Sequence, residues 1–124
     1  MRVLVVDDSP DIRFMLRILL EDAGMDVEEA HSGTVALERL GGWTPGDPID
    51  AVVLDQRMPD LTGLELARIL YDEGVHPPLL LFTAYLHPLQ QGEAAELGVT
   101  VVDKSELLEL VGALRATQIV GRAA

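Results

Sequence analysis

Five short strand-like segments, apolar except for the less apolar second one, alternate with segments of helical periodicity along this chain of 124 residues. A short apolar run between polar residues is typical of a buried parallel strand. Parallel strands need crossover connections, and right-handed crossovers place helices on both faces of the sheet. The pattern therefore predicts an α/β fold, a doubly wound (βα)5 sheet of five parallel strands in the order 2-1-3-4-5. The strands are predicted over 2–6, 25–30, 51–54, 79–82 and 99–102.

Helix start and stop signals lie between these strands. Ser9 suits an N-cap, and Pro10 suits the first helical position. Gly24 suits the C-terminal end of the same helix. Further helices are predicted over 34–40, 63–72 and 87–97,.

The last third of the chain carries weaker helix signals. Gly92 is expected to interrupt the fourth helix. Ser105 is expected to cap the fifth helix, which starts close to it. Fraying is expected over 115–124, at the end of the sequence. We therefore predict one domain over 1–118, followed by a C-terminal tail over 119–124.

The composition limits the partners and the location of such a domain. A net charge of -12 disfavours direct binding to nucleic acid or to an anionic membrane surface,. The sequence contains no cysteine, which excludes disulfides and thiolate metal sites,. No apolar run approaches the length of a membrane span, and the first strand starts without a signal-type segment. We expect a cytoplasmic protein.

Charged residues follow three of the predicted strands. Asp7 and Asp8 come directly after the first strand, and Asp55 comes directly after the third. Lys104 follows the fifth strand. In an open parallel sheet, ligands bind beyond the carboxyl ends of the strands, at the switch point that here separates strands 1 and 3. These residues predict a site for a divalent metal and a phosphoryl group.

The chemistry of these residues favours magnesium. Carboxylates that converge on one edge repel each other and raise each other's pKa unless a cation lies among them. Oxygen ligands without His or Cys suit a hard ion such as Mg2+. The alternative is that Asp7 and Asp8 end a strand and bind solvent, that Thr83 caps a strand end, and that Lys104 is a solvated charge.

The segment 55–63 connects the third strand to its helix. Pro59 and Gly63 bracket a fixed turn, which can present a backbone carbonyl near Arg57 to a metal. With the other residues at the strand ends, this segment resembles the receiver domain of two-component response regulators. The resemblance covers essentially the whole chain and implies a flavodoxin-like receiver fold. It rests on Asp7-Asp8-Ser9-Pro10, on Asp55 with Met58-Pro59-Asp60-Leu61-Thr62-Gly63, on Thr83-Ala84 and on Lys104.

The resemblance implies a role for each residue at this edge. Asp55 matches the aspartate that accepts a phosphoryl group from a phosphohistidine. Asp8 matches a direct Mg2+ ligand, and Asp7 matches an acid that acts through water. The main-chain carbonyl of Arg57 matches the third protein ligand.

The remaining matches concern the response to phosphorylation. Thr83 matches the hydroxyl residue that turns toward the phosphoryl group, Ala84 is the small residue beside it, and Lys104 matches the lysine that pairs with the phosphoryl oxygens. Two positions depart from the family pattern. Val101 replaces the usual aromatic residue, and valine is too small and too stiff for the aromatic's swing. Ser105 replaces the usual proline.

These matches imply a signalling module without a downstream substrate of its own. It would accept its phosphoryl group from a histidine kinase or a phosphotransfer protein, and would catalyse only its own phosphorylation and dephosphorylation. Its partner would be a downstream protein or an attached output domain, bound through the face of the fourth helix, fifth strand and fifth helix. The alternative is a constitutive protein-interaction module that has lost the switch. A small-molecule phosphatase of the haloacid dehalogenase type is disfavoured because Arg57 stands where its second aspartate is needed.

Overall fold

Strands and helices alternate along the entire described chain. The structure is a computed structural model, which describes the backbone of residues 1–123 and the side chains of residues 1–118. Its strands are Arg2–Val6 (β1), Asp26–Ala30 (β2), Ala51–Leu54 (β3), Leu79–Thr83 (β4) and Thr100–Asp103 (β5). Its helices are Pro10–Asp22 (α1), Gly33–Leu40 (α2), Gly63–Asp72 (α3), Pro88–Glu96 (α4) and Leu107–Ala123 (α5).

The five strands form one sheet in the order β2-β1-β3-β4-β5, and every neighbouring pair is parallel. This confirms the predicted doubly wound fold. The strand order reverses direction beside β1, so the carboxyl ends of β1 and β3 lie at the switch point of the sheet. Within the residues described, no helix has both the length and the apolar character that a membrane span requires.

Side chains of the central strands alternate between two hydrophobic clusters, one on each face of the sheet. In β1, Val3 and Val5 lie in one cluster, whereas Leu4 and Val6 lie in the other. The first cluster is completed by α1 and α5, and the second by α2, α3 and α4. Strands that are buried on both faces must be apolar at every position, which explains the unbroken apolar runs of β1, β3 and β4.

The predicted start of α1 is confirmed. Ser9 is the N-cap, and its hydroxyl accepts a hydrogen bond from the backbone N–H of Ile12 at 3.3 Å. Pro10 opens the helix, where its missing N–H costs nothing,. Gly24 follows the C-terminal end with a φ of 86°, a left-handed conformation that glycine adopts without a Cβ clash,.

The structure corrects two predictions about the last third of the chain. Gly92 lies inside a continuous α4 and does not interrupt it. Ser105 does not cap α5; its N–H and hydroxyl both donate to the carboxylate of Asp103, and the helix begins at Leu107. The backbone is helical as far as Ala123, and fraying over 115–124 stays a prediction. The division between a domain over 1–118 and a tail over 119–124 stays a prediction, and residue 124 lies outside the described residues.

Candidate functional site

The pairing of β1 with β3 brings the predicted acids together. Val6 lies opposite Leu54 in the register, so the residues that follow them emerge side by side at the carboxyl edge. The backbone N–H of Asp55 donates to the carbonyl of Val6 at 2.9 Å, which ties Asp55 to the end of β1. Asp7 is tied in turn to β2 by its N–H, which donates to the carbonyl of Ala30 at 3.2 Å.

Asp7, Asp8 and Asp55 form one cluster of carboxylates. Each offers an oxygen, and these oxygens all lie within 4.8 Å of one another. Asp7 and Asp55 are 3% and 7% exposed, respectively, whereas Asp8 is open to solvent. The cluster thus combines two buried carboxylates with one accessible carboxylate, an arrangement that a hydrated ion could enter. All the side-chain donors are carboxylate oxygens, which fit a hard divalent cation such as Mg2+.

The β1–α1 connection holds Asp7 in place. Its carboxylate accepts a hydrogen bond from the N–H of Ser9 at 2.9 Å. Its carbonyl accepts a hydrogen bond from the guanidinium of Arg13 at 2.7 Å. Arg13 is fixed on its other side by Glu29 of β2, at 3.0 Å. Sequence reasoning missed Arg13, because a cation on the first helix carries no local signal for a contact with the strand end.

Electrostatic repulsion is visible at the cluster. Burial raises the pKa of Asp7, and the neighbouring charges of Asp55 and Asp8 raise it further. The N–H of Ser9 and the ammonium of Lys104 oppose the shift without cancelling it. The site therefore holds more negative charge than its own cations neutralise. A divalent ion among these carboxylates would relieve that excess.

Lys104 directly follows the edge strand β5, and its side chain reaches the carboxylate cluster. Its ammonium lies 3.2 Å from a carboxylate oxygen of Asp55 and 3.9 Å from one of Asp7. Its backbone N–H donates to the carbonyl of Thr83 at 3.0 Å, which anchors it to the end of β4. The carboxylate of Asp103, the residue before Lys104, accepts hydrogen bonds from the N–H and the hydroxyl of Ser105.

An open cavity lies above Asp55. Its volume is about 230 Å³, and it is large enough for a phosphoryl group with bound water,. Val101 is absent from its lining; this residue lies opposite Leu81 on the edge strand β5 and is 41% exposed. The cavity is lined by Asp55, Arg57, Thr83, Ala84, Tyr85 and Lys104.

The β3–α3 loop carries Arg57 past this cavity. Buried Gln56 anchors the loop: its side-chain oxygen accepts from the N–H of Leu64 at 3.0 Å, and its carbonyl accepts from the N–H of Gly63 at 3.1 Å. Thr62 and Glu65 form a capping box at the start of α3,. Sequence reasoning missed Gln56, because the bond between its side chain and the start of α3 is not part of a local turn pattern.

A family model for the response regulator receiver domain matches residues 3–114 of the chain. The chain belongs to the response regulator receiver domain family. Receiver domains are the phosphoryl-accepting modules of two-component systems, so the resemblance drawn from the sequence is confirmed.

Relatives of this receiver domain include longer proteins and solved structures. It is 45% identical over 84 residues to Response regulator MprA of Mycobacterium avium (strain 104), which covers 68% of this chain and 35% of that protein. It is 39% identical over 83 residues to Transcriptional regulatory protein TrcR of Mycobacterium tuberculosis, covering 67% of this chain and 31% of that protein. The chain thus spans about a third of the length of these relatives.

Two solved structures illustrate the structural likeness. A response regulator receiver domain protein from Clostridium thermocellum superposes with a TM-score of 0.87, covering 98% of this chain and 97% of that one, and at 24% identity it shows the fold alone. Response regulator protein TrrA from Thermotoga maritima, in complex with Mg2+-BeF, is 33% identical. Its TM-score is 0.73, and the match covers 91% of this chain and 97% of that one.

The close fit of Gly63 against Asp55 and Leu81 generates a stability prediction. A Cβ added to Gly63 would lie 2.5 Å from the carbonyl oxygen of Asp55 and 2.6 Å from Leu81. We expect Gly63→Ala to lower the free energy of unfolding by about 1–3 kcal/mol, the usual cost of overpacking. Urea unfolding measures this change.

Gly92→Ala is the matched control. A Cβ added there, inside α4, meets nothing within 4 Å. The same substitution should raise the free energy of unfolding by about 0.5–1 kcal/mol, because alanine loses less backbone entropy in a helix. Equal effects of the two substitutions would show that the space around Asp55 does not constrain Gly63.

Proposed function

We propose that this receiver domain accepts a phosphoryl group on Asp55 from the phosphohistidine of a histidine kinase or a phosphotransfer protein. The reaction requires Mg2+, and its product changes the affinity of the domain for a partner. One observation carries the proposal: the carboxylate of Asp55 shares a cluster with those of Asp7 and Asp8, and the ammonium of Lys104 lies 3.2 Å from it. The cavity above Asp55 leaves room for the incoming group.

The cation would be held by oxygen ligands. Asp8 and Asp55 would bind it directly, Asp7 through water, and the main-chain carbonyl of Arg57 would supply the third protein ligand. When bound, Mg2+ neutralises charge on the phosphoryl oxygens. The complex of TrrA with Mg2+-BeF supports this assignment by likeness.

The carboxylate of Asp55 is the nucleophile. Its oxygen forms a bond to phosphorus as the bond between phosphorus and the donor's imidazole nitrogen breaks, which yields an acyl phosphate. Phosphoryl transfer depends mainly on positioning and on neutralising the charge of the equatorial oxygens. Lys104 supplies a cation for these oxygens, and the hydroxyl of Thr83 donates a hydrogen bond to one of them. Ala84, beside Thr83, leaves space for that movement.

The chemistry of the domain itself is limited to gaining and losing this phosphoryl group. We propose that the domain has no downstream substrate and acts through partners, as a module that catalyses its own phosphorylation and dephosphorylation. The docking face would be formed by α4, β5 and α5. The constitutive interaction module remains the second candidate, since Val101 and Ser105 replace the residues that usually report phosphorylation.

Incubation with acetyl phosphate and Mg2+ tests the phosphoacceptor. Intact mass spectrometry should show the gain of one phosphoryl group in the wild type and none in Asp55→Asn, which lacks the nucleophilic oxyanion. Excess EDTA should abolish the gain. Asp8→Ala should reduce it more than Asp7→Ala, because Asp7 acts through water. Equal labelling of Asp55→Asn, or full labelling in EDTA, would contradict the proposal.

Amide exchange with and without beryllofluoride tests the switch. Of the nine residues of α4, Ala94 is the one that is buried, and Tyr85 just before the helix is 71% exposed. This weakly packed segment is the natural element of low local stability. We expect the largest change in exchange over residues 83–92, and little change around Val101.

Lys104→Ala is the matched variant for this experiment. It should bind beryllofluoride with a much smaller change over 83–92, because it lacks the ammonium that would leave its resting position 3.2 Å from Asp55 to pair with the bound group,. Unchanged exchange in the wild type would favour the constitutive interaction module. A change centred on residues 101–105 would contradict this account of the switch.

A further inference from the structure

Asp60 joins the β3–α3 loop to the amino end of α2. One of its carboxylate oxygens accepts hydrogen bonds from the backbone N–H of Gly33 at 3.1 Å and of Leu61 at 2.9 Å. The other accepts from the N–H of Thr34 at 2.8 Å and from the Thr34 hydroxyl at 2.7 Å. Twenty-six or more residues of sequence thus separate Asp60 from two of its three partners.

These bonds satisfy the start of α2. The first backbone N–H groups of a helix have no partner within the helix. Asp60 accepts from those of Gly33 and Thr34, and the Ser32 hydroxyl accepts from the next, that of Val35, at 3.1 Å. The Thr34 hydroxyl, together with these N–H groups, lowers the pKa of Asp60, and the positive end of the helix dipole favours the same charged form,.

A second contact joins the same two segments. A Cβ added to Gly33 would lie 2.8 Å from the Cβ of Leu61, so the loop and the helix start already touch. This contact involves no charge and no hydrogen bond. The packing of Leu61 on Gly33 and the carboxylate of Asp60 therefore hold the loop to α2 by independent means.

The attachment matters because of what the loop carries. Gln56 fixes its first part, and the capping box of Thr62 with Glu65 fixes its last part. Arg57, whose carbonyl is the proposed metal ligand, lies between them and lines the cavity over Asp55. A backbone carbonyl binds an ion well only when the surrounding backbone is rigid, because the contacts of that backbone fix the direction of the carbonyl.

We propose that Asp60 is a positioning residue for the metal site: by locking the β3–α3 loop to α2, it holds the Arg57 carbonyl toward the divalent ion. The inference rests on the proposed function. It predicts that loosening the lock weakens metal binding while leaving Asp7, Asp8, Asp55 and Lys104 unchanged.

Titration of the purified, unphosphorylated chain with Mn2+ tests the proposal, with the free ion followed by electron paramagnetic resonance. Asp60→Ala should weaken Mn2+ binding about tenfold, in the range found for groups that support metal ligands. Asp60→Asn removes the same charge but keeps one acceptor oxygen, so its affinity should fall between those of the wild type and Asp60→Ala. Gly33→Ala keeps every charge and should also weaken binding, because its Cβ displaces Leu61.

Asp47→Ala is the matched control. Asp47 lies in the α2–β3 loop, at the opposite edge of the sheet, where it accepts from the N–H of Ile49 at 2.9 Å and pairs with Arg39. The Asp47→Ala substitution removes the same charge as Asp60→Ala and a similar set of hydrogen bonds. Its Mn2+ affinity should equal that of the wild type within about twofold, as expected for a charge separated from the site and screened by salt.

Amide exchange of the metal-free variants gives a second readout. Asp60→Ala should accelerate exchange over residues 57–61 and 33–35, while Asp47→Ala should not.

If Asp60→Ala loses its helical circular dichroism, Asp60→Asn and Gly33→Ala decide the question. Wild-type affinity in a variant whose loop exchanges faster would overturn the proposal. So would equal affinities of Asp60→Ala and Asp60→Asn with an unchanged Gly33→Ala, since charge alone would then explain the effect. A wild type that binds no Mn2+ would instead contradict the proposed function, and this inference with it.

Discussion

The parallel pairing of β1 with β3 is the constraint on which the site depends. The register that places Val6 opposite Leu54 also places Asp7 and Asp55, the residues that follow them, side by side at the carboxyl ends of the strands. Their carboxylates therefore meet at the switch point of the sheet. The apolar residues of both strands are almost fully buried in the two clusters, and a shift of one residue would move each side chain into the cluster on the other face and disrupt the packing of both,. The packing of the hydrophobic core therefore holds the three carboxylates close together, although their negative charges repel one another.

Lys104 offsets part of the repulsion among these carboxylates in the resting domain. At 3.2 Å, and with an effective dielectric constant of about 20, its attraction to Asp55 is about 5 kcal/mol before the cost of desolvation,. Removing each ion of such a pair from water costs several kcal/mol, so the pair is close to balance. A phosphoryl group on Asp55 would bring about one further negative charge to the same place. The ammonium would then be drawn to the phosphoryl oxygens, which links the chemical step to a movement at the ends of β4 and β5.

The features that could be predicted from the sequence are those that depend on burial and on local turns. The strands β1, β3 and β4 follow from apolar runs, and the start of α1 follows from Ser9 and Pro10. The convergence of the acids follows from the strand order. The start of α5 could not be predicted, because Asp103 binds Ser105 and prevents it from acting as the cap. Gln56 and Arg13, and the contacts of Asp60, were missed because each side chain acts through a contact that local propensity does not encode. Asp60 is the clearest case, since its partners Gly33 and Thr34 lie on another element.

The central claim is that Asp55 takes up the phosphoryl group while Lys104 changes partner. A crystal structure of the chain with Mg2+ and beryllofluoride tests it most directly. We expect beryllium bonded to a carboxylate oxygen of Asp55, the metal between Asp8, Asp55 and the Arg57 carbonyl, and the Lys104 ammonium against a fluoride. Beryllofluoride on another carboxylate, or a Lys104 ammonium still paired with Asp55 while the fluoride lacks a cation, would contradict the account.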